Sequence, residues 1–546
     1  MSAQPKEKTV IPITPAGKAA KVDDKNHTKS VDLLDVRASP EIVLAFMGAV
    51  GCGLPRIITE FEENLKKMDY RVIRIKLSDF IKEQISAGAI TIPEKDSAVA
   101  YLKNQSGGNL LRQDHGYEVL AQYAISQIKR HRLAISQEYS DLTKEPPRVA
   151  YLVDQIKHPE EVMLFRMVYR NLFYLIGAMS TQDHRKSRLK DTGLHQGDID
   201  DIIVRDRKES AKHGQQLEKA FKLADYFMHH PLGDEKLILD QTERFLKLVH
   251  GHNGITPTKH EHAMYVAHST ALKSSCMSRQ VGAVITDKAD RIIAVGTNDV
   301  PKYGGGLYTT EDGEAKDDRC FNKRKVCENH AQKMRRKEQI KKGIVSELPT
   351  IFPNEDLQKA AAEKINELVE LVFSESGIPD LIEFSRAVHA EMDALVSLSR
   401  GGGGSTIGGN LYTTTFPCHN CARHIVAAGI EKVYYIEPYE KSLAPDAHDD
   451  SIEVLDHDYD PKTASPLDKV KFIHFSGVGP RLYSHLFLRD GRKNDEGRLI
   501  EFSSNLQNPP NRIIREYIDS YRTFETKIAS IFVEEFATPE DAIPPQ

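Results

Sequence analysis

The order of apolar and polar positions divides the chain into two halves that differ in pattern. From Glu41, the run EIVLAFMGAVGCGLP predicts a buried strand entering a glycine-rich turn, and IITEFEENLKKM then has a helical pattern. RVIRIKL and VAYLVDQI predict two further strands, and this alternation favours a parallel sheet with helices on both faces. The apolar stretch from Met163 to Met179 is interrupted by Arg166 and Arg170, which predicts a buried amphipathic helix rather than a membrane span. A charged helical stretch is predicted from Asp198 to His250.

The second half has its own series of elements. HAMYVAHSTALKSS predicts a helix, and QVGAVITDKADRIIAVGTN predicts two strands joined by a turn at residues 287–290. After an insertion over residues 304–380, FSRAVHAEMDALVSL predicts a helix, NLYTTTFPCHNCARHIVAAGI a strand entering a helix, and KVYYIEPY a strand. We therefore predict an α/β protein with a disordered polar tail over residues 1–39, a parallel-sheet domain over residues 40–245, and an α/β/α domain over residues 246–546.

Composition narrows the functional classes. With 40% hydrophobic and 28% charged residues, the chain is typical of a soluble globular protein. A net charge of −5 and the absence of Trp weigh against a polynucleotide substrate and favour a small molecule. The opening MSAQPKEKTV lacks the apolar core of a secretory signal, so we expect a cytoplasmic protein without membrane association. Four of the six cysteines form two close pairs, which is typical of metal ligands in a reducing compartment.

The sequence carries one motif with specific chemistry. His389-Ala-Glu391 and Pro417-Cys418-His-Asn-Cys421 together match the H-x-E…P-C-x-x-C signature of zinc deaminases. A histidine on a helix and two cysteines at a helix start would give Zn²⁺ three ligands and leave a fourth position for water. That water would attack C4 of cytosine, and Glu391 would transfer the protons. The alternatives are a structural zinc site and a chance match. H-A-E on a helix, the proline before the first cysteine and the strand–helix context weigh against both.

The surrounding segments extend this match. SSCMSRQVGAVITDKADRIIAVGTNDVP and FIHFSGVGPRLYSHLF resemble the deoxycytidylate deaminase branch of the cytidine deaminase superfamily, over most of residues 251–487. The resemblance implies that Asn298 contacts the nucleotide and that Tyr439 lies near it. The alternatives are a turn role for Asn298 and half-buried packing for Tyr439. The predicted substrate contacts are Asn298, Arg279, Ala390 and Tyr439, where Arg279 serves either a phosphate or a surface ion pair.

A second metal site is a further expectation. Cys320-x6-Cys327-x2-His330 lies in the insertion, and some deoxycytidylate deaminases that this chain resembles have a second, structural zinc near the active site. Cys276 is the candidate fourth ligand. The alternative is that these residues are free thiols and a surface histidine.

The glycine-rich turn in the first half resembles a phosphate-binding loop. Gly48, Gly51 and Gly53 have the spacing of a P-loop after a strand, where backbone N–H groups cradle phosphate. Leu54 and Pro55 replace the expected lysine and Ser/Thr, so we do not expect kinase activity by the usual mechanism. VDQIKHPEEVMLFR, IVRDRKES and LADYFMHH nevertheless resemble nucleoside-monophosphate and dephospho-coenzyme-A kinases. We predict a degenerate P-loop kinase-like domain that binds nucleotide or another ligand; the alternative is a glycine turn that serves packing alone.

The two halves together, with the segments EPYEKSLA and FSGV, resemble the bacterial anti-phage dCTP deaminases. The resemblance implies zinc-dependent hydrolysis of free dCTP to dUTP, and of dCMP to dUMP, with release of ammonia and depletion of the dCTP pool during infection. It also allows an inhibitory non-coding RNA, as in some members of that family, and related folds usually form homo-oligomers through the deaminase domain. The alternatives are a deaminase of cytidine or adenosine in tRNA or single-stranded DNA, and a non-enzymatic zinc-stabilised nucleotide sensor.

Overall fold

The fold is taken from a computed structural model, which describes residues 39–138, 147–207, 214–230, 234–439, 442–455, 469–488, 492–499 and 518–536. The polar tail predicted over residues 1–39 lies outside the described residues, apart from Ser39. The predicted division into domains between residues 245 and 246 stays a prediction.

Strands and helices alternate through the first half. Its elements are β1 (Ile42–Gly48), α1 (Leu54–Lys67), β2 (Arg71–Lys76), α2 (Leu77–Ser86), α3 (Glu94–Ser97), α4 (Ala100–His115), α5 (Val119–Glu138), β3 (Val149–Asp154), α6 (Pro159–Tyr169), β4 (Phe173–Met179), α7 (Gln182–Asp191), α8 (Gln196–Arg207), α9 (Leu217–Phe221), β5 (Tyr226–His229) and α10 (Glu235–Val249). Strands β5, β4, β1, β3 and β2 lie side by side in that order and run parallel to one another.

The parallel sheet is covered on both faces, as the sequence predicts. Every residue of β1 is buried. Val43 and Ala45 belong to one apolar core, whereas Leu44 and Phe46 belong to another on the opposite face. Parallel sheets are built in this way because their connecting helices pack on both sides, which makes the strands continuously apolar.

One predicted helix is wrong in its second part. The stretch from Met163 to Met179 is a helix only up to Tyr169, and Phe173–Met179 forms the strand β4 between β1 and β5. A run of seven apolar residues has no period that separates a fully buried strand from a buried helix. For the same reason β5 was missed inside the helical stretch predicted from Asp198 to His250. No helix in the described ranges combines the length and apolar character needed to cross a membrane.

The second half contains a mixed sheet between two helical layers. Its elements are α11 (Lys259–Ala271), β6 (Gly282–Thr286), β7 (Ile292–Thr297), α12 (Glu328–Ile351), α13 (Glu355–Glu363), α14 (Ile365–Glu375), α15 (Ala390–Gly401), β8 (Asn410–Thr415), α16 (His419–Ala427), β9 (Lys432–Glu437), α17 (Ala444–Ala447), β10 (Ile452–Leu455), β11 (Val470–His474), β12 (Gly477–Val478), α18 (Pro480–Phe487) and α19 (Ile518–Phe536). The sheet order is β10-β11-β9-β8-β6-β7. Strand β6 pairs antiparallel with β7 and β8, as expected for the predicted hairpin, and the other pairs are parallel.

The two faces of this sheet have different neighbours. Ala263 and Met264 of α11 pack on one face and share a core with the first half of the protein. Ala394 of α15 and Ala422 of α16 pack on the opposite face. The predicted insertion contributes the helices α12 to α14, and α12 packs against α14.

Late segments of the chain pack against the first half. The short strand β12 pairs antiparallel with β5 and extends the parallel sheet at its edge. The helix α19 packs on α5 and α6. Between them, Arg132 of α5 contacts the buried carboxylates of Glu41 and Glu525, and Tyr169 and Tyr521 donate hydrogen bonds to those carboxylates. The two buried carboxylates at this junction are therefore each paired with Arg132 and with a tyrosine hydroxyl.

Candidate active site

The helix α15 places two of the predicted site residues at its start. His389 directly precedes the helix, which begins at Ala390 rather than at the histidine, and Glu391 lies in the first turn. A Cβ on Gly296 of β7 would lie 2.2 Å from the carbonyl oxygen of Ala390 and 2.4 Å from the backbone nitrogen of Ala394. Only glycine at this position therefore lets the start of α15 pack directly on the sheet.

The other predicted ligands come from the junction of β8 and α16. Cys418 directly precedes α16, and Cys421 lies in its first turn. Nδ1 of His389 lies 3.3 Å from Sγ of Cys418 and 3.4 Å from Sγ of Cys421. Within the described part of the chain, these three side chains form the one group of at least three metal-ligating residues whose ligand atoms all lie within 4.8 Å of one another.

The donor set fits zinc. One imidazole nitrogen and two sulfur atoms that converge on one point are ligands that zinc takes in tetrahedral sites. The hydrogen bond with Cys421, and then the contact with His389, lower the pKa of Cys418 to about 4. The same hydrogen bond with Cys418 is the main cause that raises the pKa of Cys421. The pKa of His389 is raised, chiefly by its hydrogen bond with Cys418. Binding of a metal ion would displace the protons that these groups share.

Glu391 is placed to exchange protons beside this cluster. Its side chain is buried, and Oε2 accepts a hydrogen bond from Sγ of Cys421 at 3.5 Å. Burial is the main cause that raises the pKa of Glu391. A carboxyl group whose pKa is raised toward neutrality can both accept and deliver a proton, which is what a general acid–base catalyst requires.

A cavity of about 190 Å³ opens onto the cluster. It is lined by His389, Glu391 and Cys418 together with the four predicted substrate contacts, Asn298, Arg279, Ala390 and Tyr439. The side chain of Asn298 also holds the loop of residues 279–281, because its Nδ2 donates to the carbonyl of Arg279 at 2.8 Å and its Oδ1 accepts from the backbone N–H of Val281 at 2.7 Å. Both the turn role of Asn298 and its contact with a substrate stay predictions.

Charged and aromatic groups meet at the edge of this cavity. The guanidinium carbon of Arg279 lies 5.8 Å from the ring centroid of Tyr439, and Nη1 lies 3.7 Å from Oε1 of Glu437. Oε2 of Glu437 in turn accepts a hydrogen bond from Oγ1 of Thr415 at 3.2 Å. The side chain of Arg279 is 49% exposed, so its positive charge is available to solvent at the cavity edge.

Several further lining residues were not predicted from the sequence, among them Thr415, Phe416 and Ser278. Thr415 and Phe416 immediately precede the Pro417-Cys418 motif, so adjacency to the motif would have identified them. Ser278 lies next to the predicted Arg279. Small hydroxyl side chains and a phenyl ring carry no distinctive pattern, which is why they escaped notice.

Comparison with known proteins agrees with this geometry. The family described as the cytidine and deoxycytidylate deaminase zinc-binding region matches residues 257–437, which contain the whole cluster. Deoxycytidylate deaminase of Enterobacteria phage T4 is 30% identical over 181 residues, or 33% of this chain and 78% of that protein. The chain belongs to the cytidine and deoxycytidylate deaminase family. The family and the donor set both support zinc as the bound metal.

Other relatives match over different lengths. Deoxycytidylate deaminase of Enterobacteria phage T2 is 27% identical over 179 residues, or 33% of this chain and 80% of that protein. ComE operon protein 2 of Bacillus subtilis (strain 168) is 43% identical over 56 residues, and the chain spans only 29% of its length. The apo structure of the dCMP deaminase of cyanophage S-TIM5 matches 40% of this chain and 100% of its own, with 18% identity and a TM-score of 0.21. The structure of that enzyme in complex with dCMP and dUMP matches 41% of this chain and 100% of its own, with 19% identity and a TM-score of 0.22.

The predicted second metal site of this deaminase is only partly assembled. Cys276, Cys320 and Cys327 line one small cavity of about 20 Å³, next to the candidate active site. His330 is exposed and does not line that cavity. Sγ of Cys327 lies 3.5 Å from Oγ of Ser278, which itself lines the larger cavity. The second zinc stays a prediction.

The predicted phosphate-binding glycines of the deaminase lie between β1 and α1. Gly51 and Gly53 have φ values of +83° and +80° and line a second cavity, of about 350 Å³. A Cβ on Gly53 would lie 2.0 Å from Nδ1 of His230, so this glycine is required by a close approach as well as by its backbone conformation. The carbonyl of Gly48 accepts a hydrogen bond from Nζ of Lys157 at 2.7 Å. Binding of a nucleotide by Gly48, Gly51 and Gly53 stays a prediction.

Proposed function

We propose that this protein hydrolyses the exocyclic amino group of free cytosine deoxynucleotides, converting dCTP to dUTP and dCMP to dUMP and releasing ammonia. The observation that carries the proposal is the buried carboxyl of Glu391 beside the cluster of His389, Cys418 and Cys421, at a cavity of about 190 Å³. Membership of the deaminase family supports the reaction class, and the names of the phage T4 and T2 relatives support a deoxycytidylate substrate.

The residues at this site would have three separate roles, namely metal binding, proton transfer and attraction of the phosphates. His389, Cys418 and Cys421 would hold zinc, which would polarise a water molecule and lower the pKa of that water toward neutrality. Glu391 would take a proton from that water, deliver it to N3 of the cytosine ring, and then pass the second proton to the leaving amine. Cytosine and water are thereby converted to uracil and ammonia, with every proton accounted for. The exposed guanidinium of Arg279 would attract the phosphates.

The test incubates the purified protein with dCTP, dCMP, CTP and cytosine-containing oligonucleotides, and measures ammonia and uracil products. We expect turnover of the free deoxynucleotides alone. Glu391→Gln is expected to keep its zinc and to lose about 10²- to 10⁴-fold in rate, because the amide cannot transfer protons. Glu431→Gln is the matched control, since Glu431 is exposed and lies outside the cavity lining. Turnover by Glu391→Gln at the wild-type rate would refute the mechanism. Turnover of oligonucleotides alone would show that the substrate is a polynucleotide rather than a free nucleotide.

We extend the proposal to a role in anti-phage defence, on the resemblance of the two-part chain to bacterial anti-phage dCTP deaminases. Cells that express the wild-type chain should lose dCTP and plate phage poorly, and cells that express Glu391→Gln should do neither. Unchanged plating despite measured loss of dCTP would remove the defence role and leave the enzyme activity standing. Inhibition by a non-coding RNA, homo-oligomerisation and a cytoplasmic location stay predictions.

A further inference from the structure

The glycine-rich loop of the first half already holds an internal carboxylate. Asp206 at the end of α8 is fully buried, and its Oδ2 accepts a hydrogen bond from the backbone N–H of Val50 at 2.5 Å. Its Oδ1 accepts a hydrogen bond from Nζ of Lys157 at 2.6 Å, and Nη2 of Arg185 lies 3.6 Å from Oδ2. Backbone N–H groups in such a loop bind anions, together with cations that flank them. Asp206 therefore supplies the negative charge that a phosphate would bring.

The buried cations around the adjacent cavity are also paired within the protein. Lys157 contacts Asp206 and the carbonyl of Gly48. Arg112, which is 3% exposed, donates from Nε and Nη2 to one oxygen of Glu161 at 2.9 Å and 2.7 Å. A phosphate that entered this loop would have to displace the carboxylate of Asp206 from the backbone N–H of Val50 and from Nζ of Lys157.

Arg188 is a third cation that lines this cavity, and it hydrogen-bonds to the glycine-rich loop itself. Arg188 donates hydrogen bonds to the carbonyls of Gly51 and His230 and to the hydroxyl of Ser180. These contacts fix the outer side of the loop against α7 and the end of β5. Arg188 therefore acts on the backbone that surrounds the cavity.

The same cavity offers neutral recognition groups. Gln105 of α4 is 5% exposed, and its Nε2 donates to the carbonyl of Ile202 at 3.3 Å. Its Oε1 is buried and accepts no hydrogen bond from any described residue. A buried acceptor of this kind is satisfied by a ligand that donates an N–H or O–H. Tyr101, which is 40% exposed, lines the same cavity and offers an aromatic face, and the volume of about 350 Å³ is typical of small-molecule sites.

We propose that the cavity beside the loop of residues 48–53 binds an uncharged, planar hydrogen-bond donor, namely a nucleoside with an exocyclic amine, and that Asp206 excludes phosphate from it. The base edge donates to Oε1 of Gln105, and the ring stacks on Tyr101. The proposal concerns the first half of the chain and does not depend on the deaminase reaction.

The test uses the absence of tryptophan from the natural chain. Tyr101→Trp places a single tryptophan at this cavity and keeps an aromatic face, so a fluorescence change reports binding there and not at the candidate active site. We expect saturable titrations with deoxyadenosine and deoxyguanosine, neither of which is a cytosine substrate. Inorganic pyrophosphate should produce no change. Calorimetric titration of the unaltered protein with the same probes checks that the substitution has not created or removed the site.

Two substitutions in the Tyr101→Trp background test the assigned roles. Gln105→Leu should weaken nucleoside binding about tenfold through loss of the acceptor, whereas Gln122→Leu, at a buried glutamine outside the cavity, should leave it unchanged. Asp206→Asn should allow pyrophosphate to bind. The proposal is overturned if pyrophosphate saturates the protein that retains Asp206, if neither nucleoside binds up to millimolar concentration, or if Gln105→Leu leaves the affinity unchanged.

Discussion

Replacement of Arg132 by methionine is predicted to loosen α19 from the first half of the protein. Arg132 is 7% exposed and contacts the carboxylates of Glu41 and Glu525, and the latter residue is 2% exposed. Methionine keeps an unbranched apolar stem but removes the charge, so two buried carboxylates lose their common partner. Removal of one member of a buried ion pair costs about 3–5 kcal/mol.

Protonation of the carboxylates limits this cost and makes it depend on pH. A glutamate with an ordinary pKa of ~4.3 can be neutralised for about 3.7 kcal/mol at pH 7, but for only about 1 kcal/mol at pH 5. For the two carboxylates in Arg132→Met, we therefore expect a destabilisation of about 3–7 kcal/mol at pH 7 and about 1–2 kcal/mol at pH 5. Glu525→Gln should cost less at pH 7, because Arg132 keeps Glu41 and the amide oxygen can still accept the hydrogen bond from Tyr169.

The assay is native-state hydrogen exchange of the backbone amides of α19 at pH 5 and pH 7, corrected for intrinsic exchange rates. Arg291→Met is the matched control, because the side chain of Arg291 is 80% exposed and its ion pair with Asp287 lies at the surface. An equal loss of protection at pH 5 and pH 7 would refute the charge argument, as would a greater loss in Glu525→Gln than in Arg132→Met.

Three further predictions concern the candidate active site and the pH response. Gly296→Ala should push α15 away from β7 and lower deaminase activity and zinc content together. Gly403→Ala should lower neither, because a Cβ at Gly403 would meet open space. Normal activity in Gly296→Ala would contradict this prediction. Chelation of zinc should lower the Tm of the wild-type protein but not that of Cys421→Ser, in which one ligand is already altered, and an equal shift in both would show that the metal lies elsewhere. Burial alone would raise the pKa of Glu41, but its attraction to and hydrogen bonds with Arg132 leave that pKa below its ordinary value of 4.5. The stability that Glu41 contributes is therefore present above pH 4.5 and is lost as the pH falls through the lower pKa of the folded state. We expect amide protection in α19 to fall on acidification below pH 4.5, and a rise would contradict this prediction.

Local sequence patterns predicted the candidate metal site well, because its chemistry is concentrated in two short motifs. His389, Cys418 and Cys421 come together as expected, since one motif opens a helix and the other joins a strand to a helix. The strand Phe173–Met179 was predicted as helix because buried strands of parallel sheets lack the alternation that marks exposed ones. Local patterns did not show that Asp206 lies at the glycine-rich loop, because Val50 and Asp206 are 156 residues apart and pair only in the folded chain.

The pairing of β12 with β5 and the packing of α19 on α5 have a consequence for synthesis on the ribosome. The edge of β5 and the apolar face of α5 emerge early, but their partners lie at Gly477–Val478 and Ile518–Phe536. At ribosomal speeds of about 5–20 residues per second, the wait after Val249 is roughly 15–60 s. During that interval the nascent chain presents an open strand edge and an uncovered helix face, which are the surfaces that chaperones bind and through which unfinished chains aggregate.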